Sequence, residues 1–324
     1  MPLTAEPSAA VTLDDVRAAA RTLEGVAVRT PLVEVAALSA RAGVPVGLKC
    51  EQLQPIGAFK IRGAYNAISR AAAAGARGVV TQSSGNHGQA VAYAARAFGL
   101  RAVVVMPEST PRIKVEGVRQ HGGEVVFAGA IRSLEQGRRA EAIAGDEGLA
   151  MIPPYDHPDV VAGQGTIGLE IVDQRPDLAV VLSPVSGGGL LAGITIALAA
   201  LRPGARIVAV EPTGAAKLTA ALAAGEPRTL DHTESMADGL LTRSIGSFTF
   251  PIIRRVVREA VQVTEDEIAA AVRFLHREAG LRVEPSGAVT TAAVLAGRVR
   301  LDGPAVLVVS GGNVDPELFQ RLAE

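Results

Sequence analysis

Short apolar runs rich in β-branched residues alternate along the chain with longer alanine-rich stretches whose apolar positions recur at helical spacing. The runs Val46–Lys49, Gly78–Thr81, Ala102–Met106, Glu124–Phe127, Ala179–Leu182, Arg206–Glu211 and Ala305–Val309 predict strands. Most are apolar throughout instead of alternating, which is the pattern of parallel strands covered on both faces. Helices are predicted at Leu13–Leu23, Ala64–Ala74, Gln89–Phe98, Arg112–Gln120, Ser133–Ala144, Val160–Val172, Leu190–Leu201, Glu265–Glu278 and Ser286–Leu295. Thr264 and Glu267 carry the signature of a capping box at the start of one of them. Strand–helix alternation of this kind implies an α/β architecture with helices on both sheet faces.

The pattern falls into two blocks. Residues 54–154 predict a small domain, and residues 155–324 a large one to which the short segment 1–53 returns. Between them, Pro153, Pro154 and Pro158 crowd a stretch that cannot continue a helix or a central strand. A length of 324 residues suits two packed domains. Hydrophobic residues at 48% and charged residues at 20% describe a globular chain, not a disordered one. A net charge of −1 offers no field to attract nucleic acid or an anionic membrane. Cys50 is the single cysteine, so no internal disulfide can form and a reducing compartment is expected. The apolar stretch Leu190–Leu201 is interrupted by Gly193 and Thr195 and reads as a buried helix, so a soluble cytoplasmic protein is expected.

Four motifs could carry chemistry. Lys60 follows Phe59 where a loop gives way to a helix, and it is one of four lysines among 32 basic residues. An amine can condense with a carbonyl and a guanidinium cannot, so Lys60 is a candidate nucleophile as well as a helix-terminal charge. Ser83-Ser84-Gly85-Asn86-His87-Gly88-Gln89 sets hydroxyls, an amide and glycines at a strand's carboxyl end, where α/β sheets bind ligands. Ser186-Gly187-Gly188-Gly189-Leu190 joins an apolar strand to an apolar helix and leaves backbone N–H groups free to converge on an anion. It is neither Gly-x-Gly-x-x-Gly nor Walker A, which leaves a monophosphate as the natural occupant. Finally, Ser310-Gly311-Gly312-Asn313 ends the last predicted strand and reads equally as a turn.

An imine-forming lysine, a monophosphate cradle, a polar loop and a strand-end hydroxyl match the needs of pyridoxal 5'-phosphate. On these motifs, with Thr30-Pro31-Leu32, Gly163–Ile167 and Glu284-Pro285-Ser286-Gly287, the chain resembles the serine/threonine ammonia-lyase (threonine dehydratase) and serine racemase family almost end to end. The resemblance implies a two-domain fold type II enzyme, tryptophan synthase beta-like, working as a homodimer. It implies that Lys60 holds the cofactor covalently and later removes the substrate's Cα proton. Phe59 would pack beside the ring, Asn86 would bond its phenolic oxygen, and Ser310 would face the pyridine nitrogen. Backbone amides of Ser186, Gly187, Gly188, Gly189 and Leu190 would hold the phosphate. Ser83, Ser84, Asn86 and His87 would grip the substrate carboxylate, and Asp238 would line the pocket unless it is only a turn aspartate. The implied reaction is β-elimination from L-threonine or L-serine to a 2-oxo acid and ammonia. Racemisation, with Ser84 as a second acid/base, and 3-hydroxyaspartate elimination are alternatives within the family. A non-catalytic binder of the cofactor or an amino acid is the alternative outside it.

Some positions depart from the family pattern. Ala58 replaces a serine before Phe59, and Ser186 replaces the first glycine of the phosphate loop. Glu211 and Ala215 match a divalent-cation site of metal-activated members, but Lys217 stands where its second carboxylate belongs. A divalent metal is therefore not expected to be required, unless Lys217 simply points to solvent. Glu135 falls near the place of a substrate-facing arginine, so a dicarboxylic substrate has less support unless Arg132 or Arg243 reaches in. His121, His157, His232 and His276 show no metal-ligand spacing and read as surface or turn residues.

Overall fold

The computed structural model of the chain describes residues 10–83, 85–110, 112–131 and 134–324. From the N-terminal side, α1 (Leu13–Thr22), β1 (Leu32–Glu34), α2 (Ala36–Ala42) and β2 (Val46–Cys50) lead into α3 (Lys60–Ala73). A smaller unit follows, with β3 (Gly78–Gln82), α4 (Asn86–Ala97), β4 (Arg101–Met106), α5 (Arg112–Gln120), β5 (Glu124–Phe127), α6 (Glu135–Glu147) and β6 (Ala150–Met151). Next come α7 (Pro158–Gln174), β7 (Val180–Pro184), α8 (Gly189–Leu201), β8 (Arg206–Pro212), α9 (Lys217–Ala224), α10 (Thr249–Val256) and β9 (Glu259–Val263). The chain closes with α11 (Glu265–Ala279), α12 (Pro285–Leu295), β10 (Ala305–Val309) and α13 (Pro316–Ala323).

The strands form two sheets, in the orders β1-β2-β10-β7-β8-β9 and β5-β4-β3-β6. Neighbours run parallel except for β1 and β2 at one edge. In the larger sheet the strand period of two sorts side chains between two cores. Leu48, Leu182, Val208 and Leu307 face α11 and α12, whereas Val181, Ile207, Val306 and Val308 face α7, α8 and α10. In the smaller sheet, Val80, Val103 and Val105 face α6 while Val79 and Ala102 face α3 and α4. The doubly covered, mostly parallel α/β fold expected from the apolar runs is therefore the one observed.

The topology fixes where a ligand can sit. The chain winds from β7 through β8 to β9, then returns by α11 and α12 on the other face to insert β10 beside β7. This reversal opens a crevice at the carboxyl ends of β7 and β10, the usual binding position in open α/β sheets. The glycine loop follows β7 and Ser310 follows β10, so both open onto that crevice.

Several elements lie beyond those the pattern predicts: β1, β6, β9, α2, α9, α10 and α13. Three of them are edge strands or two- to three-residue strands, where paired backbone, not a run of apolar side chains, makes the element. In α10, Pro251 occupies the third position of the first turn, where its missing N–H has no intrahelical partner to lose. The proline-rich stretch at 151–158 is not wholly irregular either: β6 ends in it and Pro158 opens α7 behind the N-cap His157.

Candidate functional site

Lys60 is the first residue of α3, and the segment before it is laced to the end of β10. Phe59 N–H donates to Ser310 O at 3.1 Å, Gly312 N–H donates to Gly57 O at 2.9 Å, and Ala58 bridges Gly311. Asn313 Nδ2 completes the attachment by donating to Ile56 O at 2.8 Å. These bonds aim Lys60 Nζ at Pro154 O, 2.6 Å away, with the Phe59 ring centroid 5.2 Å off. Burial disfavours the ammonium and brings its pKa down to about 8, so the free amine is well populated just above neutrality.

Across the crevice the glycine loop closes over Tyr155. A Cβ on Gly187 would stand 2.3 Å from the Tyr155 ring, and one on Gly188 would stand 2.7 Å from Thr249 Oγ1. Gly188 also has φ +98°, a left-handed conformation that L side chains resist. Behind the loop, Gly187 O accepts from Gly246 N–H and Thr249 Oγ1. Asp156 in turn caps α10, taking Phe248 and Thr249 N–H at 3.0 and 3.1 Å. The α8 helix that starts at Gly189 has no side-chain cap, so the positive end of its dipole is left available to an anion. Ser186 Oγ lies 3.1 Å from Thr242 Oγ1, which leaves its backbone to the cradle.

The third wall comes from the smaller sheet. Ser83 Oγ accepts from Gly85 and Gly88 N–H at 3.2 and 3.1 Å and shapes the turn after β3. Ser84 lies outside the described residues. Asn86 is held at both ends of its amide: Nδ2 donates to Glu284 Oε1 at 2.7 Å and Oδ1 accepts from Asn313 at 2.9 Å. His87 is buried inside α4 with Nε2 3.0 Å from Ile152 O, so Nε2 carries the proton and Nδ1 is left as an acceptor. Burial, with Lys60 nearby, pushes its pKa down to about 3 and keeps the ring neutral. Ser310 is buried at the end of β10 and its Oγ approaches Ser286 O at 3.4 Å.

The structure thus gathers Phe59, Lys60, Ser83, Asn86, Ser186–Leu190 and Ser310 around one crevice. His87 lies deeper, against the backbone of residue 152. Asp238 sits on a short 3-10 turn, Asp238–Leu240, and pairs with Lys114 of α5. Lys217 does not point to solvent: it is fully buried, donates to Leu240 O at 2.9 Å and stands 3.7 Å from Glu211 Oε1. Burial brings its pKa down to about 8 against the pull of Glu211. Arg243 is exposed and its Nε donates to Leu230 O, and Arg132 lies outside the described residues. Sequence reading assigned no role to Tyr155, Asp156 and Thr249, which support the glycine loop, or to Lys114 and Glu284. The proline cluster around Tyr155 and the Glu284-Pro285-Ser286-Gly287 motif were the signals available for any of them.

Beneath Lys60 lies a buried ionic network that sequence reading also missed. Arg62 spends its donors on Glu51 (2.8 and 2.8 Å), Glu170 (2.7 and 3.0 Å), Thr166 and Val28 O. Lys49 joins Glu170 from β2 and also bonds Thr30 O and Gln174. Nearby, α3 and α7 cross with almost no clearance, since a Cβ on Gly163 would stand 2.5 Å from Arg62 O and 2.7 Å from Gly63 Cα.

Comparison with known proteins follows the same lines. The family model described as pyridoxal-phosphate dependent enzyme matches residues 23–311. The chain is 40% identical over 314 residues to an L-threonine ammonia-lyase of Thermotoga maritima, covering 96% of this chain and 78% of that protein. It is 39% identical over 310 residues to an L-threo-3-hydroxyaspartate ammonia-lyase of a Pseudomonas species, covering 95% and 97%. Maize serine racemase superposes with a TM-score of 0.92 at 35% identity, covering 97% of each chain. The residues present fit pyridoxal phosphate, the cofactor named in the family's description. The glycine loop is too tight for any side chain yet offers an uncapped helix end to a phosphate, and Lys60 presents an amine to the same crevice.

Proposed function

This chain belongs to the pyridoxal-phosphate dependent enzyme family, and from that premise we propose that it eliminates the β-hydroxyl of L-threonine, and of L-serine, to give a 2-oxo acid and ammonia. The observation that carries the proposal is the pairing of Lys60, with its lowered pKa, and a strand end that presents Ser310 instead of a carboxylate. When bound, pyridoxal phosphate supplies a carbonyl for an amine and a conjugated ring that accepts electrons as a bond at the substrate's Cα breaks. The N-terminus of α8 and the Gly187–Gly189 amides would hold its phosphate. Lys60 Nζ, half neutral near pH 8, takes the Cα proton. Ser310 would offer the ring nitrogen a neutral hydroxyl in place of a carboxylate, which would weaken the ring as an electron sink and favour departure of the β-hydroxyl. Asn86, fixed by Glu284 and Asn313, presents its amide without rotational freedom.

The test is keto acid formation by the purified yellow protein with L-threonine and L-serine, alongside chiral analysis of the recovered amino acid. Production of 2-oxobutyrate that disappears with Lys60→Ala supports elimination, and unchanged turnover in that variant sinks the enzymatic reading. Racemisation is the second reading, favoured by the likeness to maize serine racemase; it is supported instead if D-serine accumulates faster than pyruvate. We further propose a cytoplasmic homodimer that needs no divalent metal, because the buried Lys217 ammonium already bonds Leu240 O beside Glu211. The carboxylate of Glu211 is itself occupied by Leu218 N–H, Thr219 N–H and Thr219 Oγ1 at 2.7 to 3.0 Å.

A further inference from the structure

One cation at the crevice is unused by the reading above. Lys114 extends from α5 of the smaller sheet's unit, with its side chain only 9% exposed, and ion-pairs with Asp238 of the larger unit. Its Nζ would lie 3.8 Å from a Cβ on Gly85, the residue before Asn86 in the loop after β3. On the other side, Gly239 N–H next to Asp238 donates to Ser286 Oγ at 2.9 Å, and Ser286 O is the partner of the Ser310 hydroxyl. The ion pair therefore spans from the loop after β3 to the wall that carries Ser310. Asp238 is 41% exposed, so the pair has an open side from which a ligand could approach it. Glu284 feels the same two charges: burial raises its pKa to about 7, Lys114 draws it down and Asp238 pushes it up.

Such a placement matters for the side chain of the substrate. Besides Lys60, Lys114 is a cation that the described residues bring to the Ser83–Asn86 loop, and Asp238 pairs with it. We propose that Lys114 and Asp238 set the side-chain specificity of the site, with Asp238 masking Lys114 so that neutral hydroxy amino acids are preferred over dicarboxylic ones. A second carboxylate on the substrate meets repulsion from Asp238 and finds Lys114 already paired. Removing the charge of Asp238 reverses both effects at once, because the repulsion goes and the ammonium is released to a new anion. This inference rests on the proposed elimination chemistry for its kinetic arm and on ligand binding alone for its second arm.

The experiment compares wild type, Asp238→Asn, Lys114→Met and the double variant on L-threonine and threo-3-hydroxyaspartate. Asp238→Asn is expected to raise the ratio of kcat/KM for hydroxyaspartate over threonine by roughly tenfold or more. Adding Lys114→Met is expected to erase that gain, and Asp238→Glu to restore the wild-type ratio. In parallel, the affinity for succinate, an unreactive dicarboxylate, is followed by titration calorimetry, and only Asp238→Asn should tighten it. If Asp238→Asn slows both substrates by one factor and leaves succinate affinity unchanged, the pair is only a clasp between the two units and the proposal falls. If the double variant keeps the gain, Lys114 is not the cation responsible. A wild type that makes no keto acid from threonine overturns the elimination reading, while the succinate titration still decides the role of Lys114.

Discussion

Replacing Arg62 by methionine removes the centre of the buried network beneath Lys60, and its cost can be worked from the contacts. The guanidinium side chain is 2% exposed and forks onto both Glu51, fully buried, and Glu170, 14% exposed. Burial alone would lower the guanidinium's affinity for its proton, but the two carboxylates more than offset this and hold its pKa above the usual value. Lys49, Arg62, Glu51 and Glu170 balance to zero charge, so methionine leaves one uncompensated anion in the interior. Among the described residues, Glu51 keeps Thr30 Oγ1 and Gln54 Nε2 as direct partners. Breaking a buried pair in this way costs about 3–5 kcal/mol. Arg62→Lys keeps the charge but cannot fork onto two carboxylates, and about half of that loss is expected. The assay is urea denaturation of the purified protein by circular dichroism, with Glu51→Gln and the Arg62→Met/Glu51→Gln pair closing a double-mutant cycle. A coupling of about 2 kcal/mol or more between the two sites is expected. A loss below about 1 kcal/mol at unchanged m-value, or additive single effects, would refute the claim that the buried Arg62–Glu51 pair is a strong contributor to stability.

Other outcomes follow from the same geometry. Gly187→Ala sets a methyl against the Tyr155 ring, and cofactor affinity, read by reconstitution of the yellow absorbance, should fall at least roughly tenfold; an unchanged titration would show that the loop is not a tight cradle. Glu284 has a folded pKa of about 7 against an ordinary 4.5, so its neutral form adds stability below pH 4.5 that is lost as pH rises through 7. In the cofactor-free protein, wild type should therefore lose about 2 kcal/mol relative to Glu284→Gln between about pH 5.5 and 8, and parallel curves would exclude the effect. Turnover should survive EDTA in wild type, while Lys217→Ala should lose activity and regain part of it with methylammonium; inhibition by EDTA reversed by magnesium would contradict Lys217 as the resident cation.

What the sequence made legible follows from how local each signal is. Val181, Leu182, Val306 and Leu307 announce buried parallel strands because both neighbouring faces are covered, and every residue of the run reports it. Phe59-Lys60, the three glycines and Ser310 were legible as motifs because each lies in a short contiguous segment where a strand or loop meets the next element. By contrast, the Glu259–Val263 edge strand is covered on fewer sides, and no continuous apolar run marks it. The pairs Lys114–Asp238 and Arg62–Glu170 join residues more than a hundred positions apart, and no local pattern distinguishes them from surface charges. Tyr155 was hidden for a related reason. Its value lies in the space it fills above Gly187, which becomes visible only once α8 and the 151–158 stretch are brought together.

The position of β10 has a consequence for how the protein comes to life. This strand, last in the chain, is inserted between β2 and β7, and its far end carries the bonds that hold Gly57, Ala58 and Phe59 in place. A nascent chain emerging residue by residue can assemble β3 to β6 and pair β7 with β8 early. It cannot seat Lys60 until residue 313 has left the ribosome, because the larger sheet has a gap where β10 belongs. Contacts of such long sequence separation close late. Residues 305–313 must therefore emerge before the Lys60 segment is seated, and a chain stalled before Ala305 is expected to take up no pyridoxal phosphate however well its smaller sheet has folded.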